Sequence, residues 1–329
     1  MKKVLVTGGS GFIGYHLANK LLEDDYQIDL LDNFSRGVND KYLSDLEENK
    51  KINFINADLL SSLTIDQIDH DYSYIYHLAA LIGVQHVIKS PYEVLTKNFI
   101  LFQNTMKIAK QQKKLERFIF ASTSEVYAGT LQHFGLDFPT PEKTPLTVSN
   151  LNESRTSYML SKIYGEAMCL HSGVPVTIIR PHNFYGPRMG LSHVIPEIMK
   201  KVVDSENGLV DVFSVNHKRT FCHINDAVEM IQLLAESIQT IGKSYNIGND
   251  DEEITIGDLA QKIINLIGKD VVINPLPTTQ GSPERRCPNI SKLKKATSYI
   301  KKNSLDKGLQ NTFDWYNENV FSGQGISAI

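Results

Sequence analysis

The chain has 329 residues, 41% hydrophobic and 22% charged, with a formal net charge of −3. That composition suits a globular protein of one large or two smaller domains, and gives no footing for nucleic acid or a membrane surface as partner. The opening "MKKVLVTG" breaks into glycines before a signal sequence forms, no apolar run approaches the ~20 residues of a membrane span, and Cys169, Cys222 and Cys287 are too scattered for a disulfide framework or a CxxC metal pair. No metal site is expected, and a reducing cytosol is the expected compartment.

Short Val/Ile/Leu-rich runs alternate with helical patterns through the first half. Val4–Thr7 reads as a strand, followed by a helix over Gly11–Glu23 with Ile13, Leu17, Leu21 and Leu22 on one face. Further strands are expected at Gln27–Asp32, Ile52–Ala57, Tyr74–Leu78, Phe118–Ser122 and Val174–Arg180. Long helices are expected over Pro91–Gln112 and Asn152–His171. Such alternation argues an α/β fold with a doubly wound parallel sheet. The second half is less regular. Helices fit Val194–Asp204, Asp226–Ser237, Ile256–Ile267 and Lys307–Asn319, and strands fit Val210–Phe213 and Ser244–Ile247. The final "SGQGISAI" reads as a loose tail.

Gly8, Gly11 and Gly14 lie three apart between the first strand and the first helix. The first permits a tight turn, the second lets backbone N–H groups approach a pyrophosphate, and the third lets helix pack on strand. The phosphates then sit at the positive end of the helix. Asp32 ends the second strand about 20 residues on, where a carboxylate holds a ribose 2′-OH and repels a 2′-phosphate. NAD is therefore expected over NADP, although Arg36 is close enough in sequence to leave NADP open. Asp58 is placed to accept from the adenine amino group. Ala79 and Ala80 end a strand, where a flat ring can pass close to backbone. His77 reads as a satisfied strand-end residue rather than a catalytic one.

Tyr158 and Lys162 are four apart in a helical stretch and share a face. A phenol titrates near ~10, too high for a base at neutral pH. A neighbouring ammonium and a nicotinamide cation both favour the phenolate. Tyr158 could then take a proton from a sugar hydroxyl during its oxidation.

Gly8-x-x-Gly11-x-x-Gly14, Asp32, "HLAA", "ASTSEVY", Tyr158-x-x-x-Lys162 and "RPHNFYGPR" together resemble the extended short-chain dehydrogenase/reductase family. These are NAD-dependent nucleotide-sugar epimerases, dehydratases and decarboxylases. The resemblance runs from Val4 to about Trp315, and its motifs are closest to UDP-glucuronate decarboxylases. It implies a Rossmann-type NAD-binding domain over residues 1–181, with 218–248 returning to it. A smaller α/β substrate domain is expected over 182–321 and a tail over 322–329. It implies a triad of Thr123, Tyr158 and Lys162, with Thr123 on the sugar hydroxyl and Lys162 also on the nicotinamide ribose. Around NAD it further places Phe12, Ile13, Asn33, Leu59, Leu78, Asn98, Ser122 and Pro181. It implies a nucleotide-linked sugar as substrate and a homodimer built as a four-helix bundle from Pro91–Gln112 and Asn152–His171. Leu101, Met106, Ile108 and Ala109 supply apolar material for that bundle, or equally for the protein's own core.

The shared chemistry of the family starts with oxidation at C4 of the hexose. The 4-keto group acidifies C5 and weakens a carboxylate bond there, so epimerisation, 4,6-dehydration and decarboxylation are all open. Ser124 departs from the Asp–Glu pair of dTDP-glucose-type dehydratases. "TSE" matches UDP-glucuronate decarboxylases and also GDP-mannose dehydratases, which favour NADP. Glu125 would serve as a base at C5 or, protonated, as a donor to an enolate. Arg286, two residues before Pro288, fits the decarboxylases' arginine, which orients a carboxylate or stabilises the enolate. The same arginine could equally bind the diphosphate. Arg219 and Asn183 match positions that meet the phosphates, and 189–196 would line the nucleotide. The long segment from Gly129 to Arg155 could cover the sugar. A non-catalytic NAD-binding regulator would be expected to lack Tyr158 or Lys162, and both are present.

Overall fold

The computed structural model describes residues 1–37, 40–279 and 281–322. Seven strands form one parallel sheet: β1 (Lys3–Thr7), β2 (Gln27–Asp32), β3 (Ile52–Asn56), β4 (Tyr74–His77), β5 (Arg117–Ala121), β6 (Val176–Pro181) and β7 (Lys243–Ile247). Their order is 7-6-5-4-1-2-3, so the winding reverses between β1 and β4. In open parallel sheets that reversal opens a crevice at the strands' C-terminal ends.

Period-two alternation divides the strand residues between two cores. Val4, Val6, Ile28 and Leu30 face the core under helices α1 (Phe12–Glu23) and α4 (Ile224–Glu236). Leu5, Leu31, Phe118 and Ile178 face the other, under α2 (Pro91–Gln111) and α3 (Ser154–Leu170). Both faces are covered, which is why the strands read as unbroken apolar runs. Leu101, Met106, Ile108 and Ala109 are all buried in the second core. They fill the protein itself rather than an outward bundle face. Exposed apolar residues on those two helices include Tyr92, Leu95, Tyr164 and Leu170.

A third core lies C-terminal to the sheet. Strands Leu209–Phe213 and Val272–Leu276 pair in parallel. Helices Val194–Asp204, Ile256–Ile267 and Leu305–Tyr316 bury Met199, Val202, Leu259, Ile263 and Leu309 against them. The helix Ile256–Ile267 has clear local signals. Thr255 caps its start by accepting from Asp258 N at 3.0 Å, and Gly268 stops it at φ +72°. A three-stranded sheet of Ile254–Thr255, Lys218–Arg219 and Arg285–Arg286 lies beside this core. The chain crosses between the layers more than once, since β7 pairs with β6 and α4 packs on α1. No described helix is long and apolar enough to cross a membrane. The expected tail lies outside the described residues from 323 onward.

Candidate active site

The glycine loop is held by the strand that follows it. Gly8 N donates to Leu31 O at 2.8 Å, and Gly11 N to Gly8 O at 3.2 Å. Gly8 has φ +75°, and a Cβ there would meet Ala79 N at 2.9 Å. A Cβ on Gly14 would meet Gly8 O at 2.3 Å, so helix and loop approach too closely for any side chain. A Cβ on Gly11 would meet only Gly8 O, at 3.3 Å, leaving its other side open. Phe12 and Ile13 pack inward on the core.

Asp32 accepts from Ser10 N at 3.1 Å and Phe34 N at 2.9 Å, which fixes its carboxylate at the mouth with acceptor capacity to spare. Asn33 is exposed beside it. Asp58 is also exposed, while Leu59 is buried and its carbonyl is held by Asn104. Leu78, Ala79 and Ala80 are half-buried along the crevice. Arg36 donates to Ile82 O at 2.8 Å, across the mouth, rather than sitting beside Asp32 as a 2′-phosphate clamp. Open backbone over the glycines, a fixed acid at the second strand and small residues at the fourth fit NAD.

His77 stacks between Phe118 and Phe120 and shares a 2.9 Å hydrogen bond with Thr7 Oγ1. Burial drives its imidazole down to about 3, so it is a neutral structural residue. Asn98 fastens the loop after β4 to α3. Its Oδ1 accepts from Leu81 N at 2.7 Å, and its Nδ2 donates to Leu81 O and to Ser161 Oγ.

Thr123, Tyr158 and Lys162 come together at the ends of β5 and α3. Thr123 Oγ1 caps the 3₁₀ turn Ser124–Tyr127 and hydrogen-bonds the Tyr158 phenol. Lys162 is 4% exposed, donates to Ala121 O at 2.8 Å and stands 5.8 Å from the centroid of the Tyr158 ring. Burial brings its ammonium down to about 8. The sequence expectation that this lysine eases ionisation of Tyr158 is not met by the protein alone. Burial, then the charge of Glu125, pushes the phenol above its ordinary range, and the Thr123 bond and Arg36 offset this only in part.

Glu125 ties the two halves of the site together. Its Oε1 accepts from Arg286 Nη2 at 2.6 Å, and Arg155 Nη2 lies 3.7 Å from its Oε2. Burial alone would raise its carboxyl, but Arg286 foremost, then Arg155 and Arg219, hold it below the usual range. It is a carboxylate in this state, not an acid. Ser124 is buried beneath it. Arg219 is 8% exposed and donates to the backbone carbonyls of Lys218, Pro283 and Glu284 and to Ser282 Oγ at 3.1 Å. Burial, then Arg286, lowers its guanidinium to about 10. Asn183, at φ +44°, donates to Thr220 O at 2.9 Å. Arg155, one turn before Tyr158, was missed in the sequence, although its spacing puts it on the same helix face.

A buried network backs the site. Ser122 Oγ donates to Glu166 at 2.5 Å, so its hydroxyl is turned away from the crevice. Arg180 grips Glu166 with two bonds of 2.9 and 2.6 Å and donates to Tyr127 Oη, which donates to Asn246. His182, beside Pro181, meets Asn246 at 3.3 Å. Part of the 129–155 segment packs against this network, while Arg155 at its end reaches Glu125. Thr140 exchanges backbone bonds with Cys287 and Asn289, and Glu142 accepts from Asn246 N.

The model of the NAD dependent epimerase/dehydratase family matches residues 4–248. This chain belongs to that family. It is an enzyme of NAD-dependent nucleotide-sugar chemistry, and NAD is its cofactor. A UDP-N-acetyl-alpha-D-glucosaminuronate decarboxylase of Bacillus cytotoxicus is 32% identical, over 96% of this chain and 98% of that protein. UDP-glucuronic acid decarboxylase 1 of Danio rerio is 30% identical, over 97% of this chain and 73% of that one. Among solved structures, the UDP-glucuronic acid 4-epimerase of Bacillus cereus, with UDP-glucuronic acid and NAD, superposes at TM-score 0.81. That epimerase is 27% identical, over 96% of this chain and 99% of that one.

Proposed function

We propose that this family member is a decarboxylase of a UDP-linked uronate, either the glucuronate or its 2-acetamido form. The Glu125–Arg286 contact supports this most directly, because it sets a cation and an ionised carboxylate beside the Tyr158 phenol. The decarboxylases among the relatives agree with it.

Bound NAD supplies reversible two-electron oxidation at C4. Thr123 orients the C4 hydroxyl and Tyr158 accepts its proton, with Lys162 on the nicotinamide ribose. A ketone at C4 can take up the electron pair of the C5–carboxylate bond, so CO₂ leaves and an enolate forms. Arg286 first seats the carboxylate and then balances the charge developing on the enolate. Glu125, kept ionised, directs a solvent proton to C5. Tyr158 returns its proton to O4 as C4 is reduced. One proton from water and one CO₂ to solution close the balance. Arg219 and Asn183 serve the diphosphate in this reading, with the substrate domain beginning at residue 182.

An ionised Glu125 also suits removal of the C5 proton, which favours 4,6-dehydration as a second reading. Mass spectrometry after incubation with UDP-glucuronate, UDP-N-acetylglucosaminuronate, UDP-glucose and GDP-mannose separates the two. Loss of CO₂ from a uronate supports the decarboxylase. Loss of water from a neutral sugar, with the uronates untouched, replaces it with the dehydratase.

A homodimer is part of the proposal. Tyr92, Leu95 and Tyr164 expose 79%, 36% and 46% of their surface along α2 and α3, and Phe99 meets Tyr164 at 5.3 Å between ring centroids. Two such helix pairs facing each other would bury that patch. Three buried free cysteines support a reducing compartment such as the cytoplasm.

A further inference from the structure

Arg155 lies outside every role assigned above, yet it touches two parts of the site. It stands in the first turn of α3, three residues before Tyr158. Its Nη1 donates to Gly281 O at 2.9 Å, and its Nη2 faces Glu125 Oε2 at 3.7 Å. Gly281 is at φ +71°, and a Cβ built on it would stand 3.1 Å from Arg155 Nη1, so the loop backbone lies directly against the guanidinium. The next residues of that loop, 282–284, are gripped from the other side by Arg219. The loop then runs into Arg286, whose Nη2 takes the other oxygen of Glu125.

Two arginines thus divide one carboxylate. Arg286 holds Oε1 tightly from the small domain, and Arg155 stands off Oε2 from the rigid catalytic helix. A substrate carboxylate that recruits Arg286 must compete with Glu125 for it. If Arg286 were the only cation, Glu125 would be left as an unpaired, half-buried negative charge facing a second one. We infer that Arg155 is the positioning residue that takes over Glu125 when Arg286 turns to the substrate's carboxylate, and that its grip on Gly281 keeps the arginine-bearing loop in place during the exchange. The inference rests on the uronate decarboxylase reading. It assigns Arg155 to the step after C4 oxidation and not to the oxidation itself.

The test compares wild type with Arg155→Gln and Arg155→Lys in the NAD-loaded full chain, using whichever uronate the wild type decarboxylates. CO₂ release and the near-ultraviolet absorbance of reduced nicotinamide are followed in single turnovers. The expected result for Arg155→Gln is CO₂ release slowed on the order of a hundredfold, as for a misplaced group at a reacting centre. Reduced nicotinamide should still form at the wild-type rate and accumulate, with KM near the wild type. The acid limb of kcat should move to higher pH. Arg155→Lys should recover part of the rate, because it keeps the charge but cannot serve Gly281 and Glu125 together. Unchanged CO₂ release in Arg155→Gln overturns the inference. So does equal loss of nicotinamide reduction and CO₂ release, or a change confined to KM, since either would make Arg155 a binding or structural residue. A wild type that releases no CO₂ from either uronate overturns the reading of the site, and this inference with it.

Discussion

Arg286 and Glu125 are 161 residues apart in the chain and 2.6 Å apart in the structure. The pair joins the short strand Arg285–Arg286 to the turn that follows β5, and so joins the two sides of the cleft. Replacing Arg286 by Gln should lower kcat on the uronate by a factor on the order of 10²–10³, the usual cost of losing one donor to a developing negative charge. Glu125 should then titrate higher, because its main cation is gone. The acid limb of the kcat profile should move up in pH. A limb that stays in place would show that Glu125 does not set it.

Tyr158→Phe removes the proton acceptor and leaves the ring. Folding and NAD binding should be intact, and turnover should fall by about 10²–10⁴ or more. Full activity would rule out the acid–base role. The rise of the phenol above its ordinary range adds a second expectation. An absorbance titration of the NAD-free protein should find no Tyr158 phenolate near neutral pH.

Glu166 and Arg180 form a paired charge with both side chains nearly closed to solvent. Glu166→Ala leaves that guanidinium buried and unpaired, and also strips a partner from Ser122. It should destabilise the protein by about 3–5 kcal/mol in urea unfolding. A loss under about 1 kcal/mol would mean that water or Tyr127 replaces the carboxylate.

His77 and His182 are each 2% exposed, and burial holds both imidazoles at about 3 in the fold. The unfolded chain takes up these protons near ~6.5, and the folded chain does not until about 3. Stability is therefore undiminished above ~6.5 and falls below it, at roughly 1.4 kcal/mol per pH unit for each histidine. The melting temperature should drop steadily between pH 6.5 and 4.5, and less steeply in His77→Asn. Equal slopes for the two proteins would sink this account.

Tyr92→Glu puts a charge at the N-terminal end of the exposed face of α2. If that face is the dimer surface, light scattering should show a monomer with its fold retained. A wild type that is already monomeric at high concentration would remove the four-helix bundle from the proposal.

Much of this site was legible because local chemistry and fold agree in the first half. The strand–glycine–helix opening, Asp32 and the Tyr158/Lys162 pair each carry their own spacing. Glu125 and Arg286 were each singled out, but nothing local said that they meet. The second half resisted for physical reasons. Strands such as Lys218–Arg219 and Arg285–Arg286 are two residues long, too short for any period. Val272–Leu276 contains Asn274 and Pro275 and reads as a loop, and it survives as a strand with one partner. Glu166 and Arg180 look like surface charges in sequence, and only the fold pairs them in the interior.

The strand Lys243–Ile247 completes the sheet only after residues 182–242, α4 among them, have been laid down. A nascent chain leaving the ribosome therefore carries β6 as a raw edge, its amides waiting for a partner not yet made. Arg117 marks the moment of closure, since its guanidinium reaches Thr177 on β6 and Thr240 just ahead of β7 together. Closing the sheet thus depends on a pairing between segments more than sixty residues apart in the chain.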